Sequence, residues 1–137
     1  MTNSLRNERG MTLFEIIVVL VIVTSVGAML FKTVAGSMQK AKVNETRLRI
    51  TEIEKAIEQY NADCGNYPQT LNDLLVAGGN CSNWGPSPYI KENGLLDAWK
   101  NKVQYTLEGS KVTITSLGAD RAVGGEGVNA DITNKEQ

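Results

Sequence analysis

Residues 10–31 read GMTLFEIIVVLVIVTSVGAMLF, and this stretch decides how the rest of the chain is organised. Its apolar run, residues 11–31, carries a single charged side chain, Glu15. A helix rising ~1.5 Å per residue over that run just spans the ~30 Å hydrocarbon core of a bilayer. Arg6 and Arg9 precede the run, so the positive-inside rule predicts a cytoplasmic N-terminus with most of the chain across the membrane.

The composition excludes several classes of function. The chain has 137 residues, which is the length of one domain, and its net charge of −1 provides no basic field for nucleic acid. It contains no His, the commonest general base and a common metal ligand. No nucleophile elbow, phosphate loop or CxxC motif occurs. We therefore predict that the protein is not an enzyme and binds no nucleic acid.

Helical character is predicted to continue beyond the apolar run. Residues 32–60 contain no Pro and only one Gly, Gly36. One helix from about residue 12 to 61 is therefore expected, apolar all round in its first half and amphipathic over residues 32–62. Four apolar side chains form the stripe of the amphipathic half: Ile50, Ile53, Ile57 and Tyr60.

Residues 63–137 are predicted to form a small globular region. A breaker cluster at residues 63–68 ends the long helix, and Thr70 can cap a short helix that Gly78 and Gly79 stop. Alternating apolar residues on both sides of residues 108–111 predict a β-hairpin. A Gly-rich, acidic loop follows from Gly118. The fold class expected is α+β, with a long helix packed on a small antiparallel sheet.

Two ordinary explanations compete for the N-terminal segment. A secretory signal peptide has a shorter apolar region and a small-residue cleavage site, for which residues 26–28 are a weak candidate. A plain signal anchor fits the length and the flanking charges. Neither explains Glu15, because a carboxylate within hydrocarbon is costly and by default suggests a function.

Residues 10–15, Gly-Met-Thr-Leu-Phe-Glu, resemble the processing site of type IV pilins. The resemblance implies a leader at residues 1–10, cleavage between Gly10 and Met11 by a prepilin peptidase, and N-methylation of Met11. It also implies a pilin-like fold. Cleavage exposes an α-ammonium on Met11, which the Glu15 carboxylate of a neighbouring copy can pair with, so that assembly becomes favourable and its axial register is fixed.

The globular region is similar to the major, G-type pseudopilin of type II secretion. The resemblance rests on motifs in one order: Asn66-Tyr67-Pro68, Tyr89-Ile90, Leu96-Asp97-Ala98-Trp99, Ser116-Leu117-Gly118-Ala119-Asp120, residues 124–127 and residues 130–132. It implies a single-pass protein of the bacterial inner membrane with a periplasmic domain. Its expected partners are copies of itself, other pseudopilins, the prepilin peptidase, an inner-membrane assembly platform and membrane lipid. The implied function is a pseudopilus subunit that drives protein secretion across the outer membrane.

The chain departs from the family pattern, which leaves alternatives open. Ala98 and Lys100 replace the Pro and Gly of the usual Asp-Pro-Trp-Gly, and the apolar helix lacks the usual Pro. Unwinding of that helix in a filament would then depend on Thr24, Ser25 and Gly27. A type IV pilus subunit, major or minor, and a monomeric membrane-anchored binding module are the alternatives.

Two cysteines, Cys64 and Cys81, allow one disulfide within the chain. A pair in an oxidising periplasm usually bonds, and we therefore predict this bridge. Two free thiols are the alternative.

The Gly-rich loop from residue 117 to 132 is predicted to bind calcium. Hard oxygen ligands suit this ion, and glycines let backbone carbonyls turn inward. G-type pseudopilins bind one calcium in this loop, and the resemblance implies four ligands here: the Leu117 carbonyl, Asp120, Asn129 and Asp131. Asn129 stands where the family often has Asp, and the alternative is a solvated acidic loop.

Overall fold

The computed structural model describes residues 11–136, without the side chains of residues 32, 33, 35 and 136. The described chain divides into two compact units, residues 11–37 and residues 38–136. The first unit consists of helix only after its first two residues. The second combines helix with a small sheet, so the predicted α+β class is confirmed.

Helix α1 spans Leu13–Cys64, close to the predicted range of residues 12–61. Thr12 begins it: its Oγ1 accepts a hydrogen bond from the Glu15 N–H at 3.2 Å, which satisfies a donor with no partner inside the helix. Gly65 ends it in the left-handed conformation, with φ at +74°, and donates its N–H to the Asn61 carbonyl at 2.8 Å. The helix therefore runs three residues further than predicted, into the breaker cluster.

The core of the second unit lies along the predicted stripe of α1. The stripe residues Ile50, Ile53, Ile57 and Tyr60 are each 2% exposed or less. They form one apolar cluster with buried residues from every later part of the chain: Leu74, Cys81, Val103, Ile114 and Ile132. Each buried aliphatic side chain contributes roughly 1.5–3 kcal/mol, so this stripe is the main support of the small unit.

The sheet has three antiparallel strands in the order β1-β2-β3. Strands β1 (Gln104–Glu108) and β2 (Lys111–Ser116) form the predicted hairpin, with Tyr105 opposite Ile114. Strand β3 (Ile132–Thr133) pairs with the end of β2, with Ile132 opposite Ser116. The sequence predicts a loop for this segment, because two residues are too few to show an alternating pattern.

The predicted short helix is a 3₁₀ turn, Leu71–Leu74. The Asp73 carboxylate accepts hydrogen bonds from the N–H groups of Gln69 and Thr70, each at 2.9 Å, and so fixes the start of the turn. Three further 3₁₀ turns connect the remaining elements: Glu92–Leu95, Gly127–Asn129 and Asn134–Glu136.

Covalent and polar links hold the loops to the core, among them a disulfide and a tyrosine hydrogen bond. Cys64 and Cys81 form the predicted disulfide, with 5.0 Å between their Cα atoms, and tie the end of α1 to the loop that follows the 3₁₀ turn. Tyr105 donates its hydroxyl to the Pro68 carbonyl at 2.7 Å. Burial, with smaller contributions from Asp73 and Tyr67, raises the pKa of Tyr105 to about 12.

Candidate assembly segment and ion-binding loop

The first candidate site is the assembly segment, residues 11–31. Every side chain in it is exposed, including Leu13, Phe14 and Phe31, each at least 75%. Helix α1 is, by length and composition, long and apolar enough in this part to cross a membrane. An apolar surface that is exposed all round the helix is stable only against lipid or other protein.

Glu15 lies in the first turn of α1, near the partial positive charge of the helix N-terminus. No ion pair between described residues involves its carboxylate. Met11, the predicted new N-terminus, is exposed two residues before the helix begins. Gly10, the residue before the predicted cleavage, lies outside the described residues.

The region expected to unwind in a filament is helical here. Thr24 donates its hydroxyl to the carbonyls of Leu20 and Val21, and Ser25 donates to that of Ile22. A hydroxyl that bonds back to the preceding turn competes for the carbonyls of the helix ladder. Unwinding at Thr24, Ser25 and Gly27 stays a prediction for the assembled state.

The second candidate site is the loop of residues 117–132. Gly118 is left-handed, with φ at +67°, and a Cβ built on it would lie 2.8 Å from the Val128 carbonyl oxygen and 3.0 Å from that of Ala130. A Cβ on Gly125, also left-handed, would collide with the Asn129 carbonyl. The backbone of residues 128–130 therefore packs directly on Gly118 and Gly125, which brings the two ends of the loop together. Only glycine permits so close an approach, because any side chain would collide.

The predicted acidic ligands have different environments. The Asp131 carboxylate accepts the Gly124 N–H through Oδ2 at 3.0 Å, while its Oδ1 is buried and has no hydrogen-bond partner. Asp120 is exposed, and its Oδ1 accepts the Ala122 N–H at 3.1 Å. Leu117 precedes Gly118, so the packing of that glycine places Leu117 near the chain that carries Asn129.

The residues present fit a hard cation. A buried carboxylate oxygen without a partner is costly unless an ion or a donor satisfies it, and Asp131 Oδ1 is such an atom. Among the described residues, no three His, Cys, Asp or Glu side chains gather as a metal site. An ion in this loop therefore needs backbone carbonyls and amide oxygens as well, which calcium accepts and zinc does not favour.

Sequence reasoning missed a buried network next to this loop. Asp97 is fully buried and accepts hydrogen bonds from the N–H groups of Trp99 and Asn101, each at 2.9 Å, and from the Ser116 hydroxyl at 2.8 Å. The neighbouring Ala98 N–H donates to Thr46 of α1 at 3.2 Å. Asp97 and Ser116 stand in two of the motifs quoted above, but neither motif indicates that the two side chains meet.

The fold and the assembly segment together define a pilin-like protein: a long helix exposes an apolar first half with one carboxylate, and its second half packs on a small antiparallel sheet. Residues 5–31 match the family described as "Prokaryotic N-terminal methylation motif". Residues 33–135 match the family described as "Type II secretion system (T2SS), protein G". The chain belongs to this family of type II secretion system G proteins, because the match covers most of its length.

Individual relatives agree with this assignment. The chain is 36% identical to type II secretion system core protein G of Pseudomonas aeruginosa, over 94% of this chain and 96% of the relative. It is 34% identical to the protein of the same name from Vibrio cholerae, over 95% and 93%. The crystal structure of the major pseudopilin from the type 2 secretion system of enterohaemorrhagic Escherichia coli has the same fold. It matches with a TM-score of 0.60 and 23% identity, over 75% of this chain and 94% of that one.

Proposed function

We propose that this protein is a structural subunit of a pseudopilus, which forms at the inner membrane and drives type II protein secretion across the outer membrane. The observation that carries the proposal is the fully exposed apolar first half of α1 with Glu15 at its start, in a chain of the G-protein family. The role is structural rather than enzymatic. The names of the relatives, which refer to a secretion system rather than to a pilus, favour it over the type IV pilin alternative.

Assembly is driven by the two features of the exposed segment. A prepilin peptidase cleaves between Gly10 and Met11 and methylates the new N-terminus. The α-ammonium of Met11 in one copy then pairs with Glu15 of its neighbour. Each charge alone is costly within hydrocarbon, so pairing makes one axial register more favourable than the others. The apolar side chains around Glu15 pack on neighbouring copies.

The membrane position follows from the same residues. Before assembly, residues 11–31 lie in the lipid of the inner membrane, with the N-terminus in the cytoplasm. The packed unit, residues 38–136, lies in the periplasm, where the Cys64–Cys81 bridge can form. An inner-membrane platform adds subunits to the filament, which contains copies of this chain and other pseudopilins.

Calcium is the proposed cofactor, held in the loop by the Leu117 carbonyl, Asp120, Asn129 and Asp131. The buried, unpartnered Oδ1 of Asp131 supports this proposal most directly. When bound, the ion supplies a positive charge that offsets the repulsion between the loop carboxylates and orders a segment with few apolar contacts.

Deletion in the native host tests the secretion role. We expect exported proteins to accumulate folded in the periplasm, and a plasmid copy of this chain to restore export. Formaldehyde crosslinking of membranes should then give a ladder of multimers. Loss of surface pili with normal export would instead support the type IV pilus alternative. A monomer without multimers after crosslinking would support the anchored binding module.

Chelation tests the calcium site in the full chain held in detergent. With calcium at ~100 times its dissociation constant, binding adds ~2.7 kcal/mol to the free energy of unfolding. We expect chelation to lower the melting temperature and to expose residues 118–132 to protease. Asp131→Ala should remove the calcium response, whereas Glu108→Gln, at the exposed hairpin turn, should keep it. Equal melting curves of the wild type with calcium and with chelator would reject the site.

A further inference from the structure

The buried network around Asp97 ends on the backbone of the proposed calcium loop. Ser116, which donates its hydroxyl to Asp97, accepts the Gly118 N–H on the same oxygen at 3.3 Å. Asn101, which donates its side-chain amide to Asp97 at 3.4 Å, donates the same group to the Gly118 carbonyl at 3.3 Å. Asp97 is therefore hydrogen-bonded to two side chains, and these in turn bond to the peptide groups before and after Gly118.

The first of these peptide groups includes the Leu117 carbonyl. Because a peptide group is planar and trans, the direction of the Gly118 N–H also determines the direction of the Leu117 carbonyl. The second peptide group is held at both ends, since the Ala119 N–H donates to the Val128 carbonyl at 2.9 Å. Hydrogen bonds within the packed unit thus hold the entrance of the loop.

Burial makes this arrangement rigid. Asp97 and Ser116 are 0% and 1% exposed, so water does not compete for their hydrogen bonds. The Val128 and Ala130 carbonyl oxygens occupy the space where a Cβ of Gly118 would lie, so the chain packs closely against this glycine.

We propose that Asp97 is a positioning residue for calcium: through Ser116 and Asn101 it aims the Leu117 carbonyl into the loop. Outer residues that orient metal ligands typically change affinity 10–100-fold when they are replaced. This inference rests on the calcium site proposed above, and it adds three residues, outside the expected ligand set, that control how strongly the site binds.

Calcium titration of the full chain in detergent, by calorimetry, provides the test. Ser116→Ala removes the acceptor of the Gly118 N–H, and Asp97→Asn turns an acceptor of the Asn101 amide into a donor. We expect each change to weaken calcium binding at least tenfold. Should Asp97→Asn fail to fold, the smaller Ser116→Ala change decides the question.

Thr46→Val is the matched control. Thr46 is also fully buried and accepts the Ala98 N–H in the same segment, but among the described residues no hydrogen bond joins it to Gly118. We expect it to lower stability without calcium as Ser116→Ala does, and to change calcium affinity less than twofold.

The possible results separate the two proposals. Ser116→Ala binding calcium as tightly as wild type would overturn the positioning role alone. So would Thr46→Val weakening calcium binding as much as Ser116→Ala, because the effect would then be general destabilisation. A wild-type chain that binds no calcium would overturn the calcium site and this inference together.

Discussion

The two halves of helix α1 are built from the same backbone and have opposite surroundings. In residues 13–31 every side chain is exposed, and Phe14 and Phe31 are 75% and 78% exposed. In the second half, the side chains of Ile50, Ile53 and Ile57 are each at most 1% exposed. In the part of the chain that the structure describes, the more apolar half is therefore the more exposed one.

This difference shows where each half obtains its stability. The second half packs on the sheet and the loops, so its burial contributes to folding of the subunit. The side chains of the first half, residues 13–31, are exposed in the described part of the chain, so their apolar surface is available for lipid and for neighbouring copies. Substitutions in the first half should change assembly, and substitutions in the second should change stability.

The largest effect is expected from Glu15→Ala. Without the carboxylate, the α-ammonium of a neighbouring Met11 has no partner in hydrocarbon, so assembly should be lost while membrane insertion remains. The multimer ladder after crosslinking measures this effect. Glu52→Ala, which removes an exposed carboxylate from the second half, is the control and should assemble normally. Normal filaments from Glu15→Ala would contradict the proposed pairing.

Loss of the Cys64–Cys81 bridge should destabilise only the packed unit. A closed loop of about 18 residues constrains the unfolded chain by roughly 3 kcal/mol. Denaturant unfolding of the double Cys→Ser variant, followed by fluorescence of Trp84 and Trp99, measures this loss. Reductant should reproduce it in the wild type and have no effect on the variant. Two reactive thiols in the wild type without reductant would contradict the bridge.

Tyr105→Phe should cost about 1 kcal/mol at neutral pH, because the hydrogen bond to the Pro68 carbonyl is lost. The folded pKa of Tyr105, about 12, lies above the ordinary value of 10.0. The folded state therefore binds this proton more tightly, and the resulting stability is present below pH 10 and is lost as pH rises towards 12.

Denaturant titrations of wild type and Tyr105→Phe between pH 7 and pH 12 measure how the free energy of unfolding depends on pH. This range covers both the ordinary pKa of Tyr105 and its folded pKa. The stability advantage of the wild type should shrink over the alkaline half of the range. A constant difference at every pH would mean that Tyr105 ionises equally easily in the folded and unfolded chains.

The smallest effect, and a stabilising one, is expected from Lys100→Gly. Lys100 has φ at +68°, a left-handed conformation that is unfavourable for residues with a Cβ. Glycine removes this strain but makes the unfolded chain more flexible, which leaves a gain of about 0.5 kcal/mol. Lys102→Gly, at a position without positive φ, is the control and should destabilise. Equal changes in the two variants would show that the strain at Lys100 is not significant.

Much of the candidate site could be predicted from local sequence, but the hydrogen-bond network that supports the loop entrance could not. Glu15 was identifiable because a carboxylate is unexpected in an apolar run, and Asp131 because it lies in a Gly-rich acidic loop. The loop entrance depends on Asp97, which is 19 residues from Ser116 and in no recognisable motif with it. Contacts between residues so far apart in sequence follow from the packing of the whole unit. A local sequence pattern carries no information about that packing.

Local sequence is enough to predict the long helix, its division into an apolar and an amphipathic half, and the hairpin, because each depends on the periodicity of neighbouring residues. The third strand, formed by Ile132 and Thr133, and the meeting of the two ends of the Gly-rich loop at Gly118 depend instead on contacts between distant segments. So does the burial, without a partner, of one oxygen of Asp131. The physical reason is that burial and hydrogen bonding between distant segments depend on the packed core, which forms only when the stripe of α1 meets the rest of the chain.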